Sequence, residues 1–237
     1  MAIIHNGKTV IGRYHGGTEI VAKYHGGSLV WQKNRLPVEY REVEYIESTN
    51  GNAYIKTEFT ITTKSSCEIK QYCTGSITNG LIGNNGSVWF TVGNYNSIGI
   101  GLSALFCTDS RKGTSITDDK KVHTYYLSNG KTRIDEKENE IPTVTEVKVT
   151  HYEGNPYSDY EFGLGRCNTA YSFNQTGTNR IYYCKLWDDN DLVRNFIPCV
   201  RVDDRKAGMY DTVTKTFYPS ATSTNFKHGA YKDTFAR

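Results

Sequence analysis

Glycine-containing dipeptides recur ten residues apart at the start of the chain, and they restrict its first segment to short hairpins. Ile4-His5-Asn6-Gly7, Tyr14-His15-Gly16-Gly17 and Tyr24-His25-Gly26-Gly27 align, with an apolar residue after each at Val10, Ile20 and Val30 and a basic one in register at Arg13, Lys23 and Lys33. Asn-Gly and Gly-Gly suit two-residue hairpin turns because the central positions require positive φ. Residues 1–35 are therefore predicted to form a meander of three or four short strands. A ribbon of that size buries too little to stand alone, so its side chains, ending in Trp31, are expected to pack on another chain or on the main domain. Arg13, Tyr14, His15, Lys23, Tyr24, His25 and Trp31 are the candidate anchoring and oligomerisation residues.

Charge supports a docking role for this arm. It carries Lys8, Arg13, Lys23, Lys33 and Arg35 against Glu19 alone, a net of +4, which leaves −1 for the rest of a chain whose net charge is +3. A basic arm on a near-neutral body suits an acidic partner surface, although the same column of charge also fits a solvated ribbon face. Five basic residues without a recognition motif argue against nucleic acid. His5, His15 and His25 share a register and raise a metal reading. No Cys, Asp or Glu keeps that register to complete a coordination shell, so polar residues next to a turn explain them more simply.

After Asn34-Arg35-Leu36-Pro37 the pattern changes to alternation, Val38-Glu39-Tyr40-Arg41-Glu42-Val43-Glu44-Tyr45-Ile46, the signature of a half-buried strand. Further strands are predicted at 53–57, 67–72, 87–92, 122–127, 144–150, 160–165, 180–187, 192–200 and 207–210. Turn signals such as Asn129-Gly130, Asp189-Asn190 and Asp203-Asp204 separate several of them. On the 180–187 strand, Tyr182, Cys184 and Leu186 are predicted to share one face and Tyr183, Lys185 and Trp187 the other. Pro198 is read as marking an edge or a strand end. With 18 Tyr, 9 Phe and 22 Gly and no βαβ alternation, the chain is read as an all-β, two-sheet antiparallel sandwich. The six cysteines form no CxxC pair, and the first residues lack the apolar core of a signal peptide. Buried thiols, synthesis in a reducing cytoplasm and no membrane span are the expectations.

Three stretches carry a family resemblance: residues 36–57 (LPVEYREVEYIESTNGNAYIKT), residues 123–131 (HTYYLSNGK) and the block from Arg180 to Tyr218. They resemble a concanavalin-A-like (laminin-G-like) jelly-roll module found in structural proteins of gut bacteriophages and prophages. The arm, ending in GGSLVWQ, is similar to repeats that precede such modules in tail- and head-fibre proteins. The resemblance implies an organisation of arm (1–35), jelly-roll sandwich (36–228) and C-terminal tail (229–237). It implies a non-enzymatic virion component, a head fibre, capsid decoration or tail fibre, made in the bacterial cytoplasm and exposed on the particle surface. Its partners would be other virion proteins, capsid or fibre-attachment protein, and copies of itself, with a trimer suggested by analogy to fibres. Similar folds bind glycans, so a carbohydrate-binding module for host surface glycans is the alternative.

Clusters of acidic residues raise catalytic and metal readings. Glu42, Glu44 and Glu47 have the Glu-x-Asp-x-x-Glu spacing of a glycosidase strand with Glu in place of the middle Asp, but plain alternation turns 42 and 47 to opposite faces, and a retaining pair needs its carboxyls roughly 5 Å apart on one side. Asp188, Asp189 and Asp191, or Asp203 and Asp204, have the composition of calcium loops, yet each sits where a hairpin turn already favours Asp. No catalytic residue, cofactor or metal ligand is assigned. Trp89, Tyr95, Tyr157 and Tyr171 lie in or beside Gly- and Asn-rich segments and are the candidate glycan-stacking rings.

Overall fold

The computed structural model describes residues 36–74, 120–138, 140, 143, 161–166 and 177–232 in full, and elsewhere the backbone of short strand segments. Among the described residues there is no helix, and the strands form two main sheets. The larger contains β1 (Tyr40–Glu42), β2 (Ile46–Thr49), β4 (Ser65–Cys73), β5 (Val122–Ser128), β6 (Lys131–Ile134) and β7 (Lys137–Glu140), followed by β9 (Thr178–Asp188), β10 (Asp191–Arg201), β11 (Ala207–Asp211), β12 (Thr216–Pro219) and β13 (Lys227–His228). Its order is β7-β6-β5-β4-β9-β10-β11-β12, every ladder antiparallel. The smaller includes β3 (Ile55–Thr60) and β8 (Glu161–Leu164), together with segments 82–85, 89–93, 102–106 and 114–116. A short parallel contact joins 84–85 to 168–169.

Alternation explains why these segments become strands. In β4, Cys67, Ile69, Gln71 and Cys73 are buried while Glu68, Lys70 and Tyr72 face outward. The two sheets share one core: Ile55, Phe59, Phe162 and Leu164 from the smaller meet Ile69, Tyr125, Leu127, Ile181, Cys184, Leu186, Phe196 and Met209 from the larger. Each such side chain contributes about 1.5–3 kcal/mol on burial. A second cluster lies on the opposite face of β10, where Ile197 and Cys199 pack with Leu36, Tyr40, Tyr210 and Phe217. Leu36, the first residue after the arm, is thus pinned to the sandwich.

The long hairpin of β9 and β10 forks. The strands pair from the tip at Asp188 and Asp191 as far as Cys184 and Phe196, then part. Beyond the fork β2 pairs with β9, and β1 pairs with β10. The predicted single strand 38–46 is therefore two strands, because its halves serve different neighbours; Val38 is 88% exposed and outside both. Pro198 sits inside β10, not at an edge. Its carbonyl accepts from Val43 N at 3.0 Å, so its missing N–H also faces β1, and the reciprocal bond of the Val43–Pro198 pair is not made.

A bulge corrects the face assignment in β9. Lys70 pairs with Tyr183 but Gln71 with Ile181, leaving Tyr182 as the extra residue. Ile181, Cys184 and Leu186 consequently point inward, and Tyr182 and Tyr183 are both half-buried on the outer side.

The C-terminal residues close the fork in one unbroken register. Lys227 and His228 pair with Glu47 and Ile46. Gly229 N donates to Tyr45 O at 3.0 Å, and Glu44 N donates to Ala230 O at 2.8 Å. Val43 bridges Tyr231, and Lys232 N donates to Glu42 O at 3.0 Å. The sheet thus runs past residue 228, and Gly229–Lys232 belong to it.

In the arm, Ile4–His5 pairs with Lys8–Thr9, Tyr14–His15 with Thr18–Glu19, and Ala22–His25 with Ser28–Gln32. Among the described residues each ladder is a two-stranded sheet, with two residues of sequence between its strands.

At Gly208 of β11 a Cβ would stand 2.4 Å from Tyr218 O and 2.9 Å from Phe217 Cζ. Backbone cannot yield there as a flexible side chain would. Gly208→Ala is expected to lose about 1–3 kcal/mol through overpacking, read as a lowered melting temperature. An unchanged melt would show that β12 moves aside without loss.

Candidate functional site

The outward surface of the larger sheet gathers half-exposed tyrosines and cations in three rungs. Antiparallel pairing places residues side by side, so the rungs follow from register. One runs Glu138, Arg133, Tyr126, Glu68, Lys185 across β7, β6, β5, β4 and β9. The next runs Thr124, Lys70, Tyr183. A third runs Tyr72, Arg180, Glu47, Lys227 across β4, β9, β2 and β13.

Glu68 is the hub of the first rung. Its carboxylate accepts from Arg133 Nη2 at 3.2 Å, Lys185 Nζ at 3.3 Å and Tyr183 Oη at 3.2 Å. Arg180 anchors the third, its Nε 2.7 Å from Glu47 Oε2, and this hydrogen bond raises the guanidinium's already high pKa. The cations also lie over rings: Arg180 over Tyr45 at 4.8 Å and Tyr72 at 5.1 Å, Arg133 over Tyr126 at 5.4 Å, Lys185 over Tyr183 at 5.3 Å and Lys70 over Tyr182 at 5.9 Å. Such contacts hold the rings in place while leaving part of each exposed. Burial against these neighbours raises the pKa of Tyr182 and Tyr183, so both phenols stay protonated, and that of Tyr183 is committed to Glu68. The surface offers apolar ring area, phenol donors and charged ends.

No protein-family model, curated protein or solved structure matches this chain.

The carboxylates weighed as a glycosidase pair are held apart by separate cations. Glu42 is buried with Lys232 Nζ 2.9 Å from Oε1, and Glu47 is held by Arg180. The Asp-rich turns are occupied by turn chemistry. Asp188 accepts from Thr62 Oγ1 at 3.1 Å, and Asp189, at φ 58, pairs with Lys64 at 3.5 Å. Asp204 lies 2.6 Å from Arg201 Nη2, whose hydrogen bond pulls its carboxyl well below the usual range. Among the described residues no three His, Cys, Asp or Glu side chains converge as a metal site would require.

Of the candidate stacking rings, Trp89 starts the strand Trp89–Gly93 and is described as backbone only, while Tyr95, Tyr157 and Tyr171 lie outside the described residues. The arm candidates Tyr14, His15, Lys23, Tyr24, His25 and Trp31 all fall on hairpin strands, and Arg13 lies outside the described residues. The Tyr–Arg–Lys surface was not singled out from sequence. Its signal was present in the outward positions of 67–72, 122–127 and 180–187, but it emerges only once register makes those strands neighbours. Cys67, Cys73, Cys184 and Cys199 are buried thiols, as expected. Burial, reinforced by the charge of Glu42, pushes Cys199 up to about 12, which leaves it unreactive.

Among the described residues no helix is long and apolar enough to cross a membrane.

Proposed function

We propose that this chain is a non-enzymatic structural component of a bacteriophage particle, a head-fibre, decoration or tail-fibre element. Its hairpin arm anchors it, and a jelly-roll sandwich of the concanavalin-A-like kind is displayed at the virion surface. The observation that carries the reading is the pairing of the arm. Each hairpin bonds only to itself among the described residues, and two-stranded ribbons of this length are at best marginal in water. Such a segment gains its order from a partner, which the reading identifies as capsid or fibre-attachment protein and other copies of the chain. The basic column of the arm suits an acidic docking surface on that partner. Homo-oligomerisation, as a trimer, fits a fibre.

Removing residues 1–33 is expected to abolish incorporation into particles while the body, whose core begins at Leu36, keeps its melting temperature. Quantitative blotting of purified particles carrying either form measures this directly. Incorporation of the truncated chain at the full-length level would overturn the reading.

A second reading, compatible with the first, has the displayed sandwich bind glycans of the host surface. It is favoured by the partly exposed tyrosines of the larger sheet, since an exposed ring stacks on the apolar face of a sugar.

A further inference from the structure

We propose that the outward surface of the larger sheet binds an acidic polysaccharide, one bearing a carboxylate every one to few sugars. This rests on the glycan reading above and deepens it by naming the surface and the ligand chemistry. The surface follows seven consecutive strands, β7-β6-β5-β4-β9-β2-β13. Along it stand the cations Lys131, Arg133, Lys70, Lys185, Arg180 and Lys227 and the carboxylates Glu140, Glu138, Glu68, Glu47 and Glu44, an excess of one positive charge. Interleaved with them are Tyr45, Tyr72, Tyr126, Tyr182 and Tyr183, all half-buried.

Charge density selects among anionic polymers. Seven strands spaced about 4.8 Å apart span roughly 29 Å. Over that length duplex DNA presents about seventeen charges, which one surplus cation cannot offset. A polysaccharide carries at most one carboxylate per sugar, far fewer charges over the same length, and also presents C–H faces to the rings. Lys70 is the cation best placed to meet it: exposed on the middle rung and 5.9 Å from the Tyr182 ring centroid. Tyr183 is its direct cross-strand neighbour. A carboxylate at Lys70 would thus lie beside two rings able to carry adjacent sugars.

The test is titration calorimetry of the full chain at physiological salt against polygalacturonate, alginate and hyaluronate. Carboxyl-reduced polygalacturonate and duplex DNA serve as comparisons. Saturable binding to at least one acidic polymer is expected, at least about tenfold tighter than to the carboxyl-reduced polymer or the DNA. Lys70→Glu and Tyr183→Ala should each weaken it by about tenfold or more. Lys70 is exposed, so its variant keeps the wild-type melt and separates binding from folding even where Tyr183→Ala does not. Silence across all three acidic polymers, tighter binding to DNA, or unweakened binding by Lys70→Glu would overturn the assignment. Equal binding of neutral and acidic polymers, untouched by both variants, would refute this surface yet leave a glycan-binding sandwich standing.

Discussion

Asp211→Ala is expected to destabilise the sandwich by about 3–5 kcal/mol, the loss typical of breaking a buried ionic network from one side. Asp211 is 0% exposed at the end of β11. Its Oδ1 accepts from Asn195 N at 2.8 Å and Val213 N at 3.0 Å. Its Oδ2 accepts from Thr214 Oγ1 at 2.7 Å and Thr214 N at 3.4 Å, with Arg194 Nε 3.7 Å away. One carboxylate thus shapes the β11–β12 turn and ties it to β10. Alanine removes every acceptor and leaves several donors with only each other, each costing about 1–3 kcal/mol if buried and unmet. At about 2–4 °C per kcal/mol for a body of this size, the melting temperature should fall by roughly 10 °C. Asp211→Asn retains one carbonyl oxygen and should fall less. Thermal and urea unfolding of the three proteins would measure the series, and a loss under about 1 kcal/mol for alanine would contradict the role given to this carboxylate.

Truncation after Phe226 is the second large effect. The segment 227–232 pairs along the whole of 42–47, and Lys232 neutralises Glu42, whose side chain is only 5% exposed. Without the segment a carboxylate stays buried without that cation, a loss of about 3–5 kcal/mol. The outer edge of 42–47 also becomes a row of unpaired N–H and C=O groups, a template for aggregation. The shortened chain should express with a reduced soluble yield and melt well below the full chain. Glu42→Gln in that background should recover part of the melt, because the buried charge is gone while the open edge remains. A truncated chain that stays soluble and melts with the full chain would show that residues 227–232 lie on the surface without holding it.

Both effects hang on long-range partners, and this marks what the sequence could reveal. The all-β class was legible because outward polar and inward apolar residues alternate, as Glu68, Lys70 and Tyr72 do against Cys67, Ile69 and Cys73. Hairpin tips were legible where turn chemistry is local: Asp189, at φ 58, and Gly130, at φ 86, both sit in the turns that their neighbours signalled. Events decided by a third strand were not legible. The break after Glu42 depends on β9 and β10 parting, the bulge at Tyr182 on the register of β4, and the placement of Pro198 on the exchange of β9 for β1. The same limit hid the Tyr–Arg–Lys surface. Lys70, Tyr126, Tyr183 and Lys185 come from three separate stretches, and only pairing makes them adjacent. The glycan candidates drawn from sequence were single rings near glycines, a local criterion that cannot see a surface assembled across strands.

The organisation proposed here, arm toward the particle and sandwich away from it, is tested most directly by labelling intact virions. An epitope placed at the Asp189-Asn190 tip of the β9–β10 hairpin, on exposed residues, should bind antibody on untreated particles. The same epitope ahead of Met1 should bind only after the particles are disrupted. Equal labelling of both positions on intact particles, or of the amino terminus alone, would contradict an arm-anchored, outward-displayed sandwich.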